Sequence, residues 1–354
     1  PLIVSDATSG FNIGEDISLS RTSAGLVGLN PKELKEIINY YLPNLFDTVY
    51  PVLSDWYGNY CFDQLIKENH LFNTTSILYF IQQYLSLKEL PSNLVTPDIG
   101  MDYDKLRYLV LEQQQLNDKV KLLAELAEKK ETTGHLAKNF ALDELISKEK
   151  FQSLLFYLGF TTIKDVDITG WFTFSIPNKL VDSLLWEYIR KALNETYSLN
   201  IDTNFVNNAF HDMAKIGEWK PIIEFIITKF YEAVSVRDFV FHEEGLKTFM
   251  LAWLNLTNLY DVESEKENNK GFADITMTSD RRFVEYVKYD YAFELKYLKA
   301  EDVSTDKKAE TAIEKAKTEA ETQLKQYTSD KRFETKRIIV ITSAKKLLLL
   351  DEIS

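Results

Sequence analysis

The sequence predicts an α/β protein, with a sheet in the C-terminal third and mostly helices before it. Three observations predict this. Gly271-Phe272-Ala273-Asp274-Ile275 and Tyr291-Ala292-Phe293-Glu294-Leu295-Lys296-Tyr297 alternate apolar and polar residues, the period of half-buried strands. Arg337–Thr342 and Leu347–Leu350 are short apolar runs that read as closing strands. Upstream, apolar residues recur at three-to-four spacing, the signature of amphipathic helices.

The elements follow in chain order. A helix starts at Asn30-Pro31-Lys32-Glu33, with Asn30 as N-cap and Pro31 at the first helical position, and Leu34, Ile37, Ile38 and Tyr41 supply its stripe. Residues from about 103 to 150 read as charged helix, with Lys129-Lys130-Glu131-Thr132-Thr133-Gly134 as a helix end and glycine just past it. A short hairpin is expected between Phe160 and Asn178, then a helical layer over residues 178–235. Residues 236–256 read as one helix with Leu246, Phe249, Met250, Trp253 and Leu254 on one face. Thr278-Ser279-Asp280 is turn chemistry between the two alternating segments, and Ala309–Tyr327 reads as a charged helix.

Composition bounds the function. The 354 residues suffice for two or three domains, with 45% hydrophobic and 27% charged residues, ordinary for a globular chain. A single cysteine, Cys61, excludes an internal disulfide and fits a reducing compartment such as the cytoplasm. No apolar run is long enough to span a bilayer, so no membrane association is expected. The formal charge of -13 argues against a sequence-blind nucleic-acid coat but leaves room for an enzyme with local positive charge at its cleft. The four histidines, His70, His135, His211 and His242, are scattered, which argues against zinc. No G-x-x-x-x-G-K-[ST] loop occurs, so no nucleotide cofactor or nucleotide hydrolysis is expected.

The chemistry concentrates in the alternating segments. On a strand, Glu294 and Lys296 project from one face and Tyr291, Phe293, Leu295 and Tyr297 from the other, while Asp274 shares a face with Phe272 and Thr276. If these strands pair, an aspartate, a glutamate and a lysine converge. Two carboxylates a few ångströms apart make a hard-oxygen site for Mg²⁺ or Mn²⁺, and an adjacent lysine can orient a water and offset charge on a phosphate. The tripeptide alone carries little weight, because Glu33-Leu34-Lys35 and Glu334-Thr335-Lys336 have the same pattern. The plain alternative for an isolated ExK is a hairpin with solvated charges.

The D…ExK arrangement resembles the core of the PD-(D/E)XK nuclease superfamily, whose fold is a mixed-sheet, restriction-endonuclease-like α/β core. Val262-Glu263-Ser264-Glu265-Lys266-Glu267 leading to Gly271-Phe272-Ala273-Asp274 is similar to the "V-x-S-x-R/K-E … G-R-x-D" block of nuclease domains that follow an AAA-ATPase-like domain. Ala320-Glu321-Thr322-Gln323-Leu324-Lys325-Gln326-Tyr327 is similar to that family's "A-x-x-Q-I-x-x-x-Y" helix. Two residues depart from the pattern: Phe272 replaces the usual arginine, and Lys247 stands where histidine is common. The resemblance implies Asp274, Glu294 and Glu244 as metal ligands, Lys296 as the catalytic lysine, and Gln323 as a contact to the lysine or a phosphate. It favours Glu244 as third carboxylate, whereas helix geometry puts Glu243 closer to the apolar stripe; a glutamate favoured only by the helix dipole is the plain alternative for either.

The resemblance extends upstream. Ser9-Gly10-Phe11-Asn12 and Gly28-Leu29, then Trp56-Tyr57-Gly58-Asn59-Tyr60-Cys61-Phe62 and Asn73-Thr74-Thr75-Ser76-Ile77-Leu78, are similar to blocks at the end of the AAA-ATPase-like domain. Phe156-Tyr157-Leu158-Gly159-Phe160-Thr161-Thr162-Ile163 resembles the family's connector, and Phe174-Ser175-Ile176-Pro177-Asn178 its strand-to-helix step, although Lys179-Leu180-Val181 lacks the usual glutamate. The expected domains are a mostly helical AAA-ATPase-like remnant over 1–150, a connector over 151–235, and a nuclease-like domain over 236–354. The start at Pro1 reads as the middle of a longer protein. The implied function is metal-dependent hydrolysis of phosphodiester bonds in nucleic acid, DNA above all. The alternative is an inactive nuclease-fold interaction module with a protein partner, such as an effector delivered into a host cell or a toxin–antidote scaffold.

Overall fold

The computed structural model describes residues 19, 23–63, 70–95, 116–137, 147–236, 243–264, 273–326, 334–344 and 346–353. The chain divides into two units, Pro1–Leu185 and Trp186–Ser354.

The first unit is mainly helical. Helix α1 (Pro31–Tyr41) starts as its sequence dictates: the Asn30 side chain accepts from the N–H groups of Lys32 and Glu33, and Glu33 returns a carboxylate to the Asn30 N–H at 2.9 Å. Helices α2 (Phe46–Tyr57) and α3 (Thr74–Leu87) pack Val49, Leu53, Trp56, Tyr57, Ile77 and Phe80 into one core with Leu34 and Ile38. Trp56 and Tyr57 are therefore core residues, and the Tyr57 hydroxyl donates to the Leu94 carbonyl at 2.7 Å. Tyr60 and Phe62 are half-buried and stacked on each other, and burial pushes the Tyr60 phenol up to about 12.

After helix α4 (Leu116–Lys129) the expected glycine helix end is replaced by a strand. The helix does stop at Lys129, but β1 (Glu131–Gly134) follows at once and pairs with β3 (Phe172–Ser175), itself paired with β2 (Thr162–Val166). Local turn chemistry at Thr132-Thr133-Gly134 yields to the hydrogen bonds that β3 offers. Gly134 sits close to the tip of the Gln152 side chain on helix α5 (Lys148–Tyr157), 2.6 Å from where a Cβ would lie. Of the helix expected over 103–150, residues 103–115 and 138–146 lie outside the described residues.

Helix α6 (Lys179–Tyr197) contains the boundary between the units. In the second unit, helices α7 (Thr203–Ile216), α8 (Lys220–Val236) and α9 (Glu243–Leu254) precede a five-stranded sheet of order β4-β5-β6-β7-β8. The expected 236–256 helix is thus α9 alone, since 237–242 lie outside the described residues. The strands are β4 (Tyr260–Ser264), β5 (Ile275–Ser279), β6 (Tyr289–Leu298), β7 (Glu334–Ser343) and β8 (Leu347–Ile353). All neighbours are antiparallel except β6 and β7, which are parallel and joined by helix α10 (Asp306–Gln326), the crossover that parallel strands require. The result is a mixed-sheet α/β core in the C-terminal unit, preceded in the chain by a helix-rich N-terminal region, the fold class the sequence predicts.

Two details of the expected strand pair change. β5 begins at Ile275, so Asp274 precedes the strand, and Gly271 and Phe272 lie outside the described residues. Thr278 and Ser279, expected as turn, are strand residues because β4 pairs with them: Asp261 faces Thr278 and Tyr260 faces Ser279. The turn is the short 3₁₀ segment Arg281–Phe283, capped by Asp280.

β6 is buried on both faces. Tyr291, Phe293 and Leu295 are at most 1% exposed on one, where the Tyr291 hydroxyl donates to the Met213 carbonyl of α7 at 2.6 Å. On the other, Ala292 packs with Ile339 and Ile341 of β7 against Ala316, Ala320 and Leu324 of α10. The alanines bring helix and sheet close together. Among the described residues no helix is long and apolar enough to cross a membrane.

A candidate active site at the end of the β5–β6 pair

The site forms where β5 stops pairing with β6. The last paired residues are Ile275 and Phe293, and one further step of that register sets Asp274 opposite Glu294. Leu295 N–H points to the β5 side, where no strand residue pairs with it. The Asp274 carboxylate takes that place, with Oδ2 accepting from Leu295 N at 2.7 Å. The side chain thus completes the ladder and is fixed in orientation by it. In an antiparallel ladder a residue's N–H and C=O point the same way, so the Leu295 carbonyl faces the same region as Asp274.

Period two does the rest. Glu294 and Lys296 lie on one face of β6, and Lys296 Nζ donates to Glu294 Oε1 at 2.8 Å. Glu294 is 2% exposed, whereas the Lys296 side chain is 20% exposed, so the ammonium forms the solvent-reachable lip over a buried carboxylate. A buried carboxylate without such a partner would be strongly disfavoured. Asp274, half-buried, completes the group. Asp274 and the Glu294–Lys296 pair thus lie at the same end of the β5–β6 pair.

The other expected residues lie apart. Helix α9 leads into β4 through residues 255–259. Glu244, on its first turn, is exposed and makes no hydrogen bond or ion pair with another described residue; the side chain of Glu243 lies outside the described residues. Gln323 is exposed on α10 beside the buried Leu324. One turn beyond Glu244, Lys247 is 5% exposed, the one buried lysine among the described residues and one to which the sequence reading assigned no role. Its signal was the departure from histidine at that position. At the same end of the sheet the Tyr231 hydroxyl donates to the Ser343 carbonyl at 2.8 Å, and burial pushes that phenol up to about 12.

The donor set suits a hard cation. Two carboxylates and a backbone carbonyl are oxygen donors of the kind Mg²⁺ and Mn²⁺ prefer. Among the described residues no group of three or more His, Cys, Asp or Glu is arranged to hold a metal ion, so an ion here would take its remaining ligands from carbonyl, water or phosphate oxygens. Mg²⁺ ordinarily keeps several waters in just this way.

Residues 241–349 match the family model described as the PD-(D/E)XK nuclease superfamily. That span holds α9, the described strands β4 to β7 and α10, together with Asp274, Glu294 and Lys296. No curated protein and no solved structure matches the chain.

Proposed function

We propose that the protein is a metal-dependent nuclease that hydrolyses phosphodiester bonds, with DNA as its substrate. The observation that supports this reading is the meeting of Asp274, Glu294 and Lys296 at one partly open end of a nuclease-type sheet. Asp274 and Glu294, with the Leu295 carbonyl, would hold Mg²⁺ or Mn²⁺; Glu244 would add a carboxylate from α9, and Gln323 a contact to the substrate. An ion held there would supply Lewis acidity and a more acidic water. Lys296 holds the attacking water by hydrogen bond and offsets the negative charge that gathers on the phosphate oxygens. Asp274, held by Leu295 N–H, keeps its carboxylate in a fixed direction, so little reorganisation is needed on binding. With a net charge of -13, the chain attracts nucleic acid through local cations and the ion rather than through its overall field.

On the sequence motifs alone, we infer further that residues 1–150 correspond to an AAA-ATPase-like region, that 151–235 connect it to a nuclease-like domain over 236–354, and that the protein works in a reducing compartment. A second reading has one observation in its favour: the Glu294–Lys296 ion pair is the internal neutralisation expected of an inactive nuclease fold used as an interaction module. The two readings separate in one experiment. Single- and double-stranded DNA and RNA are incubated with Mg²⁺ or Mn²⁺ and with the Lys296→Ala variant as control. Metal-dependent cleavage that vanishes in the variant supports the enzyme; equal cleavage in both removes Lys296 from the mechanism, and no cleavage with no Mn²⁺ binding supports the module.

A further inference from the structure

The turn from β7 into β8 lies beyond the same end of β6 that carries Lys296. The two strands are parallel, with Lys296 opposite Ile341 and Leu298 opposite Ser343. Ser343, two residues past Ile341, shares its face of β7 and closes the turn: its N–H and its hydroxyl both donate to the Lys346 carbonyl, at 3.0 and 3.2 Å. The Ser343 carbonyl accepts from the Tyr231 hydroxyl of α8 at 2.8 Å. Three hydrogen bonds thus hold the backbone from which Lys346 projects. Lys346 itself is exposed and makes no ion pair with another described residue.

Charge sets this turn apart. The opposite end of the β7–β8 pair neutralises its cations: Lys336 pairs with Glu352 at 2.8 Å, and Lys317 of α10 with Asp351 at 2.7 Å. The other loop leaving the Lys296 end of β6, residues 299–308, balances Lys299, Lys307 and Lys308 against Glu301, Asp302 and Asp306. From Ile338 to Leu350, by contrast, the sequence has lysine but no acidic residue, so the turn is locally positive in a chain of net charge -13. An exposed lysine on a well-held turn, with no carboxylate beside it on either strand, is a point charge suited to a phosphate.

Distance relates this charge to the site. β8 is two strands from β6, and Ser343 is two residues past Ile341, so strand spacing and rise set Lys346 about 12 Å from Lys296. One strand of a duplex carries a phosphate about every 3.4 Å along the axis, so the gap spans roughly three or four nucleotides. We propose that Lys346 is a substrate-binding residue that holds a backbone phosphate about three or four nucleotides from the bond cut at Lys296. The inference rests on the nuclease reading and adds to it a second anchor on the polynucleotide. Such a contact fixes the strand's position and reads no base sequence.

The test compares the full chain with Lys346→Ala and Lys346→Arg by thermal melting and by cleavage kinetics on a short DNA duplex and its single strand, with Mg²⁺ or Mn²⁺, over a series of salt concentrations. Lys346→Ala should raise KM about three- to fivefold at low salt and leave kcat within about twofold, the pattern of a lost binding contact. The slope of log KM against log salt should fall by about 0.9 on duplex or about 0.7 on single strand, the share of one phosphate contact. Arginine, which keeps the charge, should restore KM, and both variants should melt with the parent. An alanine variant with the parent's KM and salt slope overturns the inference and leaves the nuclease reading standing. So does a loss confined to kcat, a loss that arginine does not restore, or a variant that melts well below the parent, since Lys346 would then serve the fold. A parent that cleaves no nucleic acid overturns the nuclease reading and this inference with it.

Discussion

The two ends of the β5–β6 pair solve the same local problem in opposite ways. At the far end, Asp290 of β6 is 2% exposed and accepts from Ser279 N of β5 at 2.9 Å; beside it Asp280 and Arg282 form an ion pair at 2.8 Å with both side chains at most 3% exposed. At the site end, Asp274 ahead of β5 accepts from Leu295 N of β6, and Glu294 pairs with a lysine that reaches solvent. Each end therefore ties an aspartate to a backbone N–H of the neighbouring strand and adds a carboxylate–cation pair. The far end is closed and uses arginine, whose planar fork suits a fixed carboxylate. The site end is open and uses lysine, a point charge on a flexible stem. Buried charge occurs at both ends, so it does not by itself mark a functional site; what differs is the cation's access to solvent.

This contrast predicts a division of labour between the ends. The largest effect expected is on catalysis: Lys296→Ala should reduce metal-dependent cleavage by on the order of a hundredfold or more, the usual worth of a positioned proton-handling group, with folding checked by circular dichroism. If cleavage survives, the open end is no more functional than the closed one. Next is the stability loss at the far end. Arg282→Met should destabilise by about 3–5 kcal/mol in denaturant unfolding, the cost of leaving Asp280 buried without its cation, while the folded fraction keeps its cleavage rate. A slower folded fraction would mean that the far end shapes the site after all.

Metal addition sharpens the comparison from the ligand side. At a hundredfold excess over its Kd, Mn²⁺ should stabilise the parent by about 2.7 kcal/mol, read as a shift of the melting curve. Asp274→Asn should lose most of that shift and Arg282→Met should keep it. The smallest effect belongs to Glu244→Gln: as an exposed residue without a described partner, it should change stability by no more than about 0.5 kcal/mol. A loss of Mn²⁺ affinity in that variant would establish the third carboxylate; an unchanged affinity would leave the site to Asp274, Glu294 and the Leu295 carbonyl.

Much of the site was legible because period two is a strong local rule. Glu294 and Lys296 had to share a face wherever β6 formed, and Asp274 had to join them once β5 paired beside it. Asn30 likewise announced its helix, since an N-cap uses only neighbouring atoms. What local rules misread were Thr278, Ser279 and Glu131–Gly134, where turn-forming residues became strand because a distant segment offered hydrogen bonds. Glu244 and Gln323 could be set on helices by sequence, but not at a distance from Asp274.

The sequence by itself determined that Glu294 and Lys296 share a face of one strand, because residue type and alternation along a single strand are local properties. The tertiary structure decided that β5 begins one residue after Asp274, leaving that carboxylate to accept from Leu295 N–H, and that Glu294 is buried while Lys296 reaches water. Those outcomes depend on where neighbouring strands stop and on what α10 covers, and both are set by contacts between segments far apart in the chain.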